Sequence, residues 1–364
     1  MAGRSAPLLA SAACSLSFAA SFAFMVEPVA AAGPACPEIA GETVTWVVPF
    51  GAGGGYDIYS RLIEPHLEAA LGVEISVINV EGAGGVVGTK QIGEAAGDGR
   101  TLGIVNAGGL VASQLLGEGN VPDLAKDLTV IATLSTGDRV WLVRADGPIA
   151  TVDDLFRLAD ERPIVIPISD LGAATFVSGG VTAALLGIRH EFVAGYSGTN
   201  ETAAALLRDE GDVADFEASS GRANIAAGDL RPLLRPTQSP ESDAMLGADL
   251  PVVTGEAGLA ARRAAAQGRD VARARRQADA LAGVSGLGRV IVGPRDLPPA
   301  LAACLQQAVW AALTDPTVVG AMAAAKRPIS ARDAASTRGA IEAVAPEVES
   351  LRQILEDEKK LLRS

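Results

Sequence analysis

The chain is poor in the residues that carry most enzyme and metal chemistry. Its 364 residues include only two histidines and three cysteines. His66 and His190 are far apart in the sequence, and neither they nor the cysteines have the spacing of a metal site. The glycine-rich turns match neither a dinucleotide fingerprint nor a phosphate-binding P-loop. Residues 195–199 lack the second glycine of a nucleophile elbow. The sequence therefore predicts a binding protein that is not an enzyme and has no cofactor or metal.

A surplus of positive charge is also absent. The chain has 43 acidic and 30 basic residues, a formal net charge of −13. This balance argues against nucleic acid as a partner, because nucleic acids are bound by basic surfaces. It also argues against attachment to an anionic membrane face. A small anionic ligand is compatible with it, because backbone N–H groups at helix starts bind anions without basic side chains.

Long uncharged runs are missing except at the amino terminus. No charged residue occurs between Arg4 and Glu27, and alanines at 30–32 then satisfy the small-x-small rule of signal peptidase. This pattern predicts a secretory signal at residues 1–32 and export to the periplasm, with a retained membrane anchor as the alternative. Cleavage would remove Cys14 and leave Cys36 and Cys304, for which a disulfide and two separate thiols both remain open.

Glycine, in contrast, is plentiful and follows strand-like runs. Apolar runs at 44–48, 75–80 and 101–105 each lead into a glycine-containing loop, and the loops at 51–55 and 82–85 lead towards predicted helices. This alternation predicts a parallel α/β sheet with the loops at the carboxyl ends of its strands. Further strands are predicted at 139–143, 164–168, 213–216 and 229–234, and helices at 299–313, 317–325 and about 337–362. An Ala/Arg-rich stretch at 259–282 is predicted to be an exposed inserted helix.

The two glycine loops at 51–55 and 82–85 suggest the chemistry of the site. Without side chains, their amide N–H groups can converge on a ligand, and a following helix adds the positive end of its dipole. Two such loops facing one cleft would hold a carboxylate from both sides. The alternative is that the glycines only permit tight turns and close packing.

Three motifs in this order resemble a known family. They are V-V-P-F-G-A-G-G-G-Y-D-I-Y-S-R, I-N-V-E-G-A-G-G-V-V-G and G-D-G-R-T-L-G, and F-V-A-G-Y-S-G-T and G-D-V-A-D-F follow later. Together they resemble the extracytoplasmic solute-binding receptors of tripartite tricarboxylate transporters, the Bug family. The resemblance implies a type 2 periplasmic-binding-protein fold, with two α/β lobes around a central cleft. Lobe 1 would comprise residues 38–136 and 238–364, and lobe 2 residues 137–237.

The resemblance also implies a function. The receptor would capture a small organic carboxylate, act as a monomer and deliver its ligand to the membrane permease subunits of the transporter. The alternative is a ligand-binding component that signals to a two-component kinase. Whether the acid is aliphatic or aromatic stays open, since Tyr56 and Tyr196 would suit an aromatic acid. Ser197 stands in place of a lysine, which removes a cation near the cleft.

The ligand-binding positions follow from the same motifs. Asp57 is expected to cap a helix, because a carboxylate would repel an anionic ligand. Asn106 and Ser219 are chosen only from their positions at strand ends. The full predicted set is Gly53, Gly54, Tyr56, Asp57, Gly84, Gly85, Asn106, Thr175, Tyr196, Ser197, Gly198 and Ser219.

Overall fold

The computed structural model describes residues 36–117, 120–170, 173–237, 246–247 and 249–363. The predicted signal segment at 1–32 and Cys14 lie outside the described residues. Within the described ranges, no helix is long and apolar enough to cross a membrane.

A five-stranded sheet contains the first three predicted strands. Its strands are β1 Thr43–Val48, β2 Glu74–Asn79, β3 Thr101–Asn106, β4 Leu128–Ser135 and β10 Arg289–Pro294. Their order in the sheet is β2-β1-β3-β10-β4. Strands β1, β2 and β3 run parallel, as predicted, whereas β10 pairs antiparallel with both β3 and β4. Strands β4 and β10 were not predicted from the sequence.

Two smaller sheets are built from the middle of the chain. Their strands are β5 Arg139–Arg144, β6 Ile164–Pro167, β7 His190–Val193, β8 Ala214–Glu217 and β9 Leu230–Leu234. Strand β5 lies between β8 and β9 and pairs antiparallel with both, so the parallel expectation is wrong for this sheet. Strands β6 and β7 form a parallel pair. The α/β fold class is confirmed, and the lobe boundaries stay a prediction.

Helices connect and cover the sheets. The predicted carboxyl-terminal helix is two helices, separated by a 3-10 turn at Glu349–Leu351. The α-helices of the described residues are α1 Gly55–Leu71, α2 Val86–Gly93, α3 Ala107–Leu115, α4 Val152–Glu161, α5 Ala174–Leu186, α6 Thr199–Leu207, α7 Ala218–Ala227, α8 Leu259–Ala266, α9 Val271–Gly286, α10 Pro299–Thr314, α11 Pro316–Ala324, α12 Ala334–Val348 and α13 Arg352–Arg363.

The Ala/Arg-rich stretch forms α8 and α9 and is not a fully exposed helix. Six of its alanines are buried, and both helices pack against α5. Arg263 Nε donates to the carbonyl of Leu186 at 3.1 Å, and Arg269 Nη2 donates to that of Leu185 at 2.7 Å. These carbonyls end α5 and lack intrahelical partners. The arginines therefore cap a core helix.

A disulfide ties the start of the described fold to α10. Cys36 and Cys304 are bridged, with their Cα atoms 5.7 Å apart, and the bond closes a loop across 268 positions of sequence. The sequence left open a disulfide or two separate thiols, and the structure contains the disulfide.

Candidate functional site

Five helices begin at one pocket between the five-stranded and three-stranded sheets. They are α1, α3, α5, α6 and α7, each of which follows a strand or the loop after a strand. The first N–H groups of a helix have no intrahelical acceptor and carry the positive end of its dipole, so this arrangement favours an anion. At these helix starts, the lining residues are Gly54, Gly55, Asn106, Ala173, Ala174, Thr175, Gly198, Thr199, Glu217 and Ser220.

The loop before α1 is shaped by glycines and by Asp57. Gly53 has a φ of +74°, which favours glycine. A side chain at Gly55 would press on Ser220 Oγ and would lie 3.0 Å from Arg289 Nη2. The Asp57 carboxylate accepts a hydrogen bond from the Gly53 amide at 2.8 Å. It is buried and does not line the pocket, so its contacts stabilise the loop.

A buried arginine, Arg289 at the start of β10, lines the pocket. It forms an ion pair with Glu217, and its Nη1 donates to Ser135 Oγ at 3.1 Å. The guanidinium carbon lies 4.8 Å from the ring centre of Tyr56 and 4.3 Å from that of Tyr59. Burial lowers the pKa of Arg289. Arg289 therefore joins strand β10 to the end of β8.

A second buried arginine, Arg139, pairs with Asp215. Asp215 Oδ2 also accepts hydrogen bonds from Ser178 Oγ at 2.7 Å and from Trp141 Nε1 at 3.0 Å. Burial raises the pKa of Asp215, and the charge of Arg139 and these donors act against that rise. Both lining arginines thus have acidic partners inside the protein.

Three polar atoms of the lining residues lack a hydrogen-bond partner in the described structure. They are Asn106 Nδ2, Thr175 Oγ1 and Arg289 Nε, and all three are buried. Asn106 Oδ1 is already used, because it accepts from the Gly109 amide at 3.2 Å and so caps α3. Buried polar atoms usually have partners, so these three are available to a ligand.

The structure divides the predicted site residues between neighbouring cavities. Gly54, Tyr56, Asn106, Thr175 and Gly198 line the main pocket. An outer opening is lined by the remaining loop residues Gly84, Gly85, Tyr196 and Ser197, and it shares Phe50 and Ser169 with the main pocket.

Three predicted residues have other contacts. The Gly53 carbonyl accepts from Asn200 Nδ2 at 2.9 Å, so the loop before α1 contacts the first turn of α6. Tyr196 Oη donates to Glu210 Oε2 at 3.3 Å. Ser219 Oγ donates to Glu217 Oε1 at 3.1 Å, and the neighbouring Ser220 lines the main pocket in its place.

Four charged lining residues were not predicted from the sequence: Arg139, Asp215, Glu217 and Arg289. A local signal existed, because each lies beside apolar residues within or at the end of a strand, where an unpaired charge is costly. The pairs themselves join residues 76 and 72 positions apart. Within the described ranges, no group of three or more His, Cys, Asp or Glu side chains is arranged to hold a metal ion.

Comparison with known proteins finds similarity to one family in sequence. Residues 60–259 match the family model of the tripartite tricarboxylate transporter family receptor. A UPF0065 protein from the tcbD–tcbE intergenic region of Pseudomonas sp. strain P51 is 28% identical over 193 residues, which are 52% of this chain and 56% of that protein. A UPF0065 protein of Bordetella pertussis is 28% identical over 190 residues, or 51% of this chain and 58% of that protein. The match thus spans little more than half of these curated relatives.

Solved structures share the fold over most of the chain. The periplasmic binding protein BugD has a TM-score of 0.68 at 20% identity, covering 88% of this chain and 97% of that one. Rpa4515 of R. palustris, solved with adipate, has a TM-score of 0.69 at 21% identity, covering 86% and 97%. MatC of Rhodopseudomonas palustris, solved with malate, has a TM-score of 0.66 at 22% identity, covering 85% and 99%.

Proposed function

Because the chain belongs to the tripartite tricarboxylate transporter family of receptors, we propose that it captures a small organic carboxylate in the periplasm. It then delivers this ligand to the membrane permease subunits of the transporter. In this role the protein acts as a monomer and performs no catalysis.

The observation that carries this proposal is the convergence of five helix starts on one pocket. The charged side chains there cancel, because Arg139 pairs with Asp215 and Arg289 pairs with Glu217. The remaining positive potential comes from the backbone, with about half an elementary charge at each helix start. A carboxylate is one of the small anionic groups that suit such a site, with phosphate and sulfate, and the family favours the carboxylate.

The ligand carboxylate is proposed to lie against Gly54, Gly55, Thr175 and Gly198, within reach of the unpartnered Thr175 Oγ1. The malate and adipate in two proteins of the same fold are in keeping with a carboxylate ligand. The residues on the outer opening, Gly84 and Gly85 among them, would contact a ligand only as it enters.

Capture is proposed to proceed by closure of two lobes, residues 38–136 with 238–364 and residues 137–237. A ligand that touches helix starts in both lobes binds the closed state more tightly and so shifts the population towards it. The Asn200 to Gly53 hydrogen bond would be one contact made on closure. The permease would then recognise the closed form.

The test is a thermal-shift and calorimetric screen of the purified chain against small mono-, di- and tricarboxylates. A ligand at a hundred times its Kd stabilises the folded state by about 2.7 kcal/mol. Thr175→Val should weaken binding about fivefold or more, since it removes a buried hydroxyl available to the ligand. Thr314→Val, on an exposed position of α10, is the matched control. If no acid in the panel shifts the folded protein, the proposal is wrong.

A further inference from the structure

The pocket continues into a recess beside it. Tyr56, Asn106, Arg139, Ala174 and Glu217 line both cavities. The rest of the recess is formed mainly by small residues, among them Gly108, Gly137, Ser285 and Gly288. A ligand whose carboxylate lies at the starts of α1, α5 and α6 would therefore extend its other end past Asn106 and Glu217, at the starts of α3 and α7.

The charges around the recess are already neutralised. Arg139 is paired with Asp215, whose side chain is fully buried, and Arg289 is paired with Glu217, whose side chain is 11% exposed. Among the described lining residues, no cation remains without an acidic partner. A second ligand carboxylate at this end would lie beside Glu217 with no free cation to bind it, and like charges brought together in a desolvated site are costly.

A hydroxyl group, in contrast, matches the hydrogen-bonding chemistry of both residues at this end. Asn106 Nδ2 is a buried donor without a partner, and Glu217 is an acceptor. A hydroxyl can accept from the first and donate to the second. An ammonium group can satisfy only Glu217, because it has no lone pair to accept from Asn106.

We propose that the site selects short hydroxy-monocarboxylates over dicarboxylates of the same length, and that Glu217 determines this choice. The inference rests on the proposed function, since it takes the first carboxylate to lie at the helix starts. Glu217 acts in two ways. It receives the ligand hydroxyl, and it occupies Arg289, which would otherwise bind a second carboxylate.

Matched pairs of acids test the proposal by titration calorimetry of the full chain at pH 7.5. The pairs are 3-hydroxypropionate with malonate, 4-hydroxybutyrate with succinate, and 6-hydroxyhexanoate with adipate. In at least one pair, the affinity for the hydroxy acid should be at least about tenfold higher than the affinity for the diacid. This comparison needs no variant.

The variant Glu217→Gln then tests whether Glu217 determines this preference. The amide oxygen can still accept from Arg289, but it no longer neutralises the guanidinium, so the diacid should gain about tenfold and the preference should disappear. Glu94→Gln, an exposed residue outside the pocket, is the control for the change in net charge.

Three outcomes of these titrations would contradict the proposed preference for hydroxy acids. A wild-type protein that binds diacids as tightly as hydroxy acids, or a Glu217→Gln variant with an unchanged preference, overturns this inference and leaves the proposed function intact. Binding confined to acids without a hydroxyl group also overturns it. If neither protein binds any carboxylate, the proposed function fails and the inference fails with it.

Discussion

The last helix is fixed to the small parallel sheet by one nearly buried pair, His190 at the start of β7 and Glu358 on α13. Their side chains are 5% and 6% exposed, and His190 Nε2 lies 2.5 Å from Glu358 Oε2. The other ring nitrogen, Nδ1, lies 3.1 Å from the Ile188 carbonyl. Both neighbours are acceptors, so only the doubly protonated ring satisfies both.

The sign of the pH dependence follows from this geometry. Burial alone would lower the pKa of His190, but the hydrogen bond and charge of Glu358 and the Ile188 carbonyl outweigh burial and raise it above 6.5. A raised pKa in the folded state means that the pair contributes its full stability below the unfolded pKa. That contribution is lost as the pH rises through the folded pKa.

Glu358→Gln should therefore lower the free energy of unfolding by about 2–3 kcal/mol at pH 6, somewhat less than the cost of breaking a fully buried pair because the histidine can lose its proton. The decrease in the free energy of unfolding should be smaller at pH 9. Urea unfolding of both proteins at the two pH values measures it. The control is Glu342→Gln, an exposed carboxylate on α12. A loss that is equal at both pH values, or larger at pH 9, would refute the reasoning.

Three further changes test the site and the fold. Asp215→Ala should cost about 3–5 kcal/mol in urea unfolding, since it leaves Arg139 buried and unpaired; a cost below about 1 kcal/mol would contradict the buried pair. Gly55→Ala should weaken carboxylate binding about tenfold or more in calorimetry, because its methyl group displaces Ser220; unchanged affinity would place the ligand elsewhere. Cys304→Ser should lower stability by up to about 5 kcal/mol, given the long loop that the disulfide closes; identical urea midpoints with and without reductant in the wild type would argue against the bridge.

The parts of the fold that local sequence determines were predictable. Strands β1, β2 and β3 are short apolar runs that end at glycine-containing loops, and both signals lie within a few residues of each other. Strand β10 offers a similar apolar run, but its partners β3 and β4 lie more than 150 residues earlier in the chain. The apolar run could have been predicted as a strand, but a pairing of such long range leaves no local pattern, so the direction of β10 could not be predicted.

The candidate site also has a part that local sequence determines and a part that it does not. Helix starts attract an anion through backbone groups, and a glycine loop before a helix is visible in the sequence. The pairs of Arg139 with Asp215 and Arg289 with Glu217 exist only because strands from distant segments meet. The backbone part of the site could therefore be predicted from motifs, and the side-chain part could not.

Backbone N–H groups bind any carboxylate and do not distinguish between acids, because they contact only the group that all of these ligands share. Discrimination depends on the groups at the other end of the ligand, here Asn106 and Glu217, and on the pairing of Glu217 with Arg289. Relatives that keep the glycine loops but differ at these three positions should bind different acids. We therefore expect the charge pairs at the recess, and not the shared motifs, to determine the substrate class of proteins with this fold.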